Sequence, residues 1–196
     1  MKSIGIVIAS ALFIAVGAFA QAPAPAPKAA APAAAPAPAP APAPAAAGPS
    51  DAQIAHIVVT ANQVDIDAGK LAQSKGKSKD VKAFGKQMVT DHTGVNKQAV
   101  ALVTKLKVKP EDNPTSQSLK KGGEDNVKNL KGLKGAAFDK AYIDHEVAYH
   151  EAVLDAVDKV LIPNAKNADL KDLIVKVRPA FVAHLEHAKK IQGSMK

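Results

Sequence analysis

Proline placement divides this chain more sharply than any other feature. Of its 14 prolines, ten fall between Pro23 and Pro49, and only Pro110, Pro114, Pro163 and Pro179 follow. Proline removes a backbone donor and clashes with the preceding helical turn. The stretch up to residue 49 therefore cannot hold a hydrogen-bonded core, whereas the stretch beyond it has room for long helices.

Three segments follow from this division. Residues 1–20 read as a secretory signal peptide: Lys2 supplies the positive start, Ile4 to Val16 the apolar run, and Ala18-Phe19-Ala20 a small-x-small cleavage site before Gln21. That run is marginal for a bilayer core of about 30 Å. The expectation is cleavage and export to the periplasm or beyond, with no transmembrane span left; an uncleaved N-terminal anchor is the competing outcome. Residues 21–49 read as a disordered Ala/Pro-rich linker, extended by about 3.1 Å per residue where it adopts polyproline geometry. Residues 50–196 are left as one folded domain.

Composition excludes much of the available chemistry. With no cysteine there is no disulfide, thiolate metal site, thiol nucleophile or bacterial lipid anchor. Neither GxGxxG nor GxxxxGK[ST] occurs, so the glycine loops that cradle nucleotides are absent. The net charge is +8, but Arg178 is the only arginine and aromatic residues are few. Base reading and single-strand stacking rely on those residue types, so no nucleic acid partner is expected. No Ser/His/Asp order suggests a hydrolase, and helices without aromatic platforms offer no sugar cleft.

Beyond residue 49, apolar residues recur at helical spacing. Helix 1 opens on Ser50-Asp51-Ala52-Gln53, a capping-box pattern, and its stripe runs from Ile54 through Val64 to Leu71. Helix 2 follows a Ser78 cap with Val81, Phe84, Met88, Val95, Leu102 and Leu106, and breaks at Lys109-Pro110. Pro114 opens a short helix at best, because Gly122, Gly123, Gly132 and Gly135 weaken it; this stretch is read as a crossover connection. Helix 3 spans about 136 to 161, and helix 4 follows an Asn167 cap, with Pro179 predicting a kink. The expected fold is all-α: a ferritin-like four-helix bundle with its crossover between helices 2 and 3.

Some polar residues fall inside the apolar arcs. His184 lies between Phe181 and Ala188; Glu146 and His150 sit one turn apart on helix 3, with Asp139 two turns earlier on the same side; Asp65, Asp91 and His92 edge into the stripes of helices 1 and 2. Counting from the connections puts Glu146 level with His184, and Asp65 about one turn from His92. A lone carboxylate buried among apolar side chains takes up a proton or finds a cation. These seven residues are therefore candidate ligands for Fe, Mn, Zn or Cu, against the alternative of a satisfied polar network. The doubled Glu-x-x-His of di-iron bundles is missing. His56 reads as surface, His145 and His187 border the core, and Tyr142 and Tyr149 read as core residues with a polar tip.

The runs Val64-Asp65-Ile66-Asp67-Ala68-Gly69-Lys70-Leu71-Ala72, Met88-Val89-Thr90-Asp91-His92, Gly135-Ala136-Ala137-Phe138-Asp139-Lys140-Ala141-Tyr142 and His184-Leu185 resemble those of bacterial envelope proteins of the domain of unknown function 4142 family, over residues 52–192. The resemblance implies a ferritin-like bundle with recurrent polar positions at Asp65, Asp91, His92, Asp139, His150 and His184. Here Asp65 stands where the family more commonly has Glu, and Glu146 is not a usual family residue.

Two functions are expected from these features. The first is a non-catalytic or weakly redox-active metal-binding bundle of the cell envelope, serving metal sequestration or stress protection. The second is an envelope interaction module that meets anionic polymers through Lys70, Lys75, Lys77, Lys79 and Lys82.

Overall fold

A computed structural model describes residues 48–195; the expected signal peptide and nearly all of the linker lie outside the described residues. The fold is all-helical, with no strand among the described residues. Its elements are α1 (Asp51–Lys75), α2 (Lys79–Lys105), α3 (Pro114–Gly132), α4 (Gly135–Ala156), a π-helical turn (Val157–Leu161), α5 (Ile162–Asn164) and α6 (Ala168–Ser194).

The starts of the helices lie where their capping residues put them. Ser50 and Gln53 form a reciprocal capping box, Ser78 accepts from the backbone of Asp80 and Val81, and Asn167 accepts from Leu170. Two carboxylates tie helix starts to their neighbours. Asp51 accepts from the N–H groups of Lys166 and Asn167 ahead of α6, and Asp139 accepts from those of Lys77 and Ser78 ahead of α2.

The directions of the helices follow from their contacts. Asn62 meets His92 and Gly69 meets Gly85, so α2 runs antiparallel to α1. Tyr149 bonds the Ala61 carbonyl on α1. Asp144 pairs with Gln192 and Asp158 with Arg178, which sets α6 antiparallel to the α4 run. Gln87 with His187 and Lys105 with Asp169 do the same for α2 and α6. The helices enclose a core in which Ile54, Val81, Phe84, Met88, Phe138 and Tyr142 are fully buried, together with Leu130 of α3.

The stretch expected to be a crossover with a weakened helix forms the 19-residue α3. Asn113 and Ser116 make a second capping box, with Pro114 in the first turn, where its missing N–H has no helical partner to lose. Its glycines matter through packing. A Cβ on Gly123 would lie 2.6 Å from Val64 Cγ2 on α1, so glycine lets the two helices approach. At the C-terminal end, the Lys75 ammonium donates to the carbonyls of Leu130 and Lys131, which suits the negative end of a helix. Gly123→Ala is expected to lower stability by about 1–3 kcal/mol through overpacking. Gly122→Ala, whose Cβ meets nothing within 4 Å, is expected to raise it by about 0.5–1 kcal/mol. Urea melts of the two variants check this pair.

Candidate metal centre

Midway along α1, α2, α4 and α6, charged or ionisable side chains stand where apolar ones would otherwise pack. Asp65 comes from α1, His92 from α2, Glu146 and His150 from α4, and His184 from α6, and each is at most 3% exposed. Helical periodicity explains the convergence. Asp65 lies one turn beyond Ala61 on its stripe, and His184 lies one turn beyond Phe181, so each must face the core wherever its apolar neighbours do.

One ligand nitrogen from each of His92, His150 and His184 lies within 4.8 Å of the others, and Asp65, Glu146 and His150 form a second such group. His150 belongs to both. Ring centroids of the three histidines are 5.2 to 5.7 Å apart, and Phe181 stacks on His92 at 5.3 Å.

Each imidazole is held by one nitrogen and free at the other. The Asn62 amide nitrogen donates to the Val58 carbonyl at 2.7 Å, which turns its oxygen toward His92 Nδ1, also at 2.7 Å. An amide oxygen only accepts, so His92 carries its proton on Nδ1. His150 Nδ1 donates to the Glu146 backbone carbonyl at 3.0 Å, and His184 Nε2 donates to Asp91 Oδ2 at 2.9 Å. The remaining nitrogens, His92 Nε2, His150 Nε2 and His184 Nδ1, are buried lone pairs with no hydrogen-bond partner. Asp65 Oδ1 and both carboxyl oxygens of Glu146 are likewise unpartnered.

Such a cluster strongly disfavours charge. Burial first, then the neighbouring imidazoles, holds His92 well below the usual histidine range, and the same causes lower His150 to about 4. Burial lowers His184 despite the opposing pull of Asp91. Burial raises Glu146 to about 8, and burial together with Glu146 raises Asp65 well above the carboxylate range. At neutral pH the rings are uncharged and the carboxyl pair retains at least one proton. Three neutral imidazoles beside two carboxyls that give up their protons to a cation are a donor set for a divalent transition metal.

Five of the seven sequence candidates come together here. Asp91 does not face the cluster: its side chain is 41% exposed and holds the outer nitrogen of His184. Asp139 lies apart, with Oδ1 and Oδ2 occupied at 2.8 and 2.7 Å by the backbone of the α1–α2 turn. Asp139→Ala is therefore expected to cost about 1–3 kcal/mol of stability through the lost charged hydrogen bonds, with metal content unchanged in the folded fraction. Calorimetry with elemental analysis checks both halves.

Nothing in the sequence marks Asn62 as part of a site. Its one signal is its place a turn before Asp65 on a stripe that is otherwise apolar. Tyr149 satisfies its hydroxyl on Ala61. The Tyr142 hydroxyl is buried without a hydrogen-bond partner, and burial, then the charges of Glu146 and Asp65, push its phenol well above the usual range. His145 stacks on Tyr149 and His187 bonds Gln87, both outside the cluster.

A family model, Domain of unknown function (DUF4142), matches residues 34–191. The chain belongs to the DUF4142 family. The match takes in every residue of the cluster and extends into the Ala/Pro-rich stretch. Neither the curated proteins nor the solved structures give a significant match. Among the described residues no helix is long and apolar enough to cross a membrane.

Proposed function

We propose that this DUF4142 protein is exported through a signal peptide at residues 1–20, and that an Ala/Pro-rich linker over 21–49 carries a ferritin-like four-helix bundle whose core holds a divalent transition metal. The four bundle helices are α1, α2, α4 and α6, with α3 as the crossover. Its role is metal sequestration or stress protection, non-catalytic or weakly redox-active.

The observation that carries this reading is the pattern of held and free nitrogens. Imidazole ligands in metal sites have the far nitrogen fixed by a carbonyl, carboxylate or similar acceptor, which sets the tautomer and aims the lone pair. Asn62, the Glu146 carbonyl and Asp91 do this for His92, His150 and His184 in turn. In a satisfied polar network the inner nitrogens would have partners, and they have none. His150, Glu146 and Asp65 supply the remaining contacts, and Asp91 acts as an orienting partner rather than a ligand.

Two of the five lysines of the polymer-binding alternative are engaged within the fold, Lys75 on the carbonyls that end α3 and Lys70 on Asp67. Elemental analysis of the chain purified without chelator or polyhistidine tag, followed by Zn, Mn, Fe and Cu titration, tests the proposal. It predicts near-stoichiometric metal that survives high salt, because buried ligands are little screened. Protein that stays empty under titration would overturn it.

A further inference from the structure

The positive charge of this protein is gathered at one end of its helices. The Lys75 ammonium reaches the carbonyls that end α3, and Asp139, in the first turns of α4, holds the α1–α2 turn. Ile191, Gln192 and Ser194 of α6 line one cavity with Ser78 and Asp139. The α1–α2 turn, the α3–α4 turn and the end of α6 therefore lie together. Residues 70–86, 126–141 and 188–195, which make up this end, contain twelve lysines and two acids, Asp80 and Asp139. Asp139 is buried with both carboxyl oxygens on backbone N–H groups, so Asp80 is the one acid these segments expose.

The opposite end is balanced. Asp51 holds the residues ahead of α6, Asn113 donates to the Gln53 carbonyl and Lys105 pairs with Asp169, which brings together residues 51–58, 100–120 and 153–175. These contain seven lysines and seven acids. The chain enters α1 at Ser50, on this balanced end.

Four of the twelve lysines are engaged within the fold: Lys70 by Asp67, Lys75 by the end of α3, Lys140 by Asp144 and Lys189 by Glu151. The other eight make no ion pair among the described residues, and Lys77, Lys79, Lys82, Lys128, Lys131 and Lys134 among them are exposed. A lysine ammonium is a compact, hydrated point charge, suited to diffuse attraction rather than to bidentate reading of one group. These lysines come from two turns and the ends of several helices, so they spread across the end of the fold instead of following a groove. A plane of like charges meets a planar partner with all its members at once, whereas a linear polymer follows a track. We propose that this end is a docking face for a membrane surface rich in anionic phospholipid, with the lysines against the phosphate headgroups. The proposal is independent of the metal reading, whose ligands lie midway along the helices.

Co-sedimentation of the full-length protein with lipid vesicles tests it. Vesicles of phosphatidylglycerol and phosphatidylcholine in equal parts are expected to bind at least about tenfold more tightly than phosphatidylcholine alone, and the difference should vanish at high salt. The neutral vesicles account for any uptake by the apolar run from Ile4 to Val16. Lys79→Ala, Lys128→Ala and Lys134→Ala together are expected to weaken binding to the anionic vesicles about 100-fold, at roughly fivefold per lysine. Lys107→Ala, Lys109→Ala and Lys166→Ala together remove the same charge from the balanced end and are expected to weaken it less than about threefold. Circular dichroism confirms folding, and Lys77→Ala, Lys82→Ala and Lys131→Ala take the place of the first set if it fails to fold. Equal losses from the two ends, or no preference for the anionic vesicles, would overturn the proposal. Binding of soluble dextran sulfate through these lysines without binding to vesicles would overturn it in favour of a polymer partner.

Discussion

His150→Ala is expected to lose metal affinity by about 100-fold or more, a larger drop than outer-shell changes produce, because this is the one side chain that belongs to both ligand groups. The matched control is His145→Ala. His145 is on the same helix and stacks on Tyr149 with centroids 5.4 Å apart, yet it lies outside both groups. Competitive titration against a chromophoric chelator checks the pair, and circular dichroism confirms that both variants fold. Equal losses in the two would mean that metal sits elsewhere, while no loss in either would remove the core cluster from the account.

The second large effect is expected at Glu146, which is fully buried with both carboxyl oxygens unpartnered. Its carboxyl is raised from 4.5 to about 8 in the folded chain. A raised acid contributes stability that is fully present below the unfolded value and is lost as pH rises through the folded one. The metal-free protein should therefore lose several kcal/mol between about pH 4.5 and 8 from this group. Glu146→Gln removes that loss, so the variant should match the wild type near pH 4 and exceed it near pH 9.

His150 works in the opposite direction. Lowered from 6.5 to about 4, it contributes stability above the unfolded value that is lost as pH falls toward the folded one. Metal narrows the gap at Glu146. A ligand at 100 times its dissociation constant stabilises by about 2.7 kcal/mol, and Glu146→Gln forgoes much of that gain because an amide oxygen carries no charge for the cation. Urea melts from pH 4 to 9, with and without zinc, read both effects. A metal-free wild-type curve that matches the variant at every pH would contradict the environment assigned to Glu146.

Much of this arrangement was legible in residue order. Capping residues at Ser50, Ser78 and Asn167 and the apolar stripes located four helices, and the same periodicity put Asp65, His92, Glu146, His150 and His184 on core faces. Periodicity gives the angle around a helix but not the height along it. Periodicity therefore groups Asp139 with Glu146, on the same side, although two turns of rise carry it to the α1–α2 turn. Asp91 is expected as a ligand from its place at a stripe's edge, but from there a side chain can also brace a ligand from outside, and its carboxylate holds His184 Nε2.

The helix α3 was hidden by its glycines. Propensity counts them as a local cost, whereas Gly123 gains a close approach to Val64 that only the tertiary structure shows. The sequence does not mark Asn62, because an uncharged amide in a stripe raises no question of charge. Its importance lies in which of its two ends faces His92, and that depends on the Val58 carbonyl.

The measurement that bears most directly on the account is X-ray absorption at the edge of whichever metal the purified protein retains. The cluster predicts a mixed shell with two or three imidazole nitrogens, visible as outer scattering from the rings, alongside carboxylate oxygen, and that ring signal should shrink in His184→Ala. A shell of oxygen alone, or a spectrum unchanged in the variant, would contradict a metal held between His92, His150 and His184.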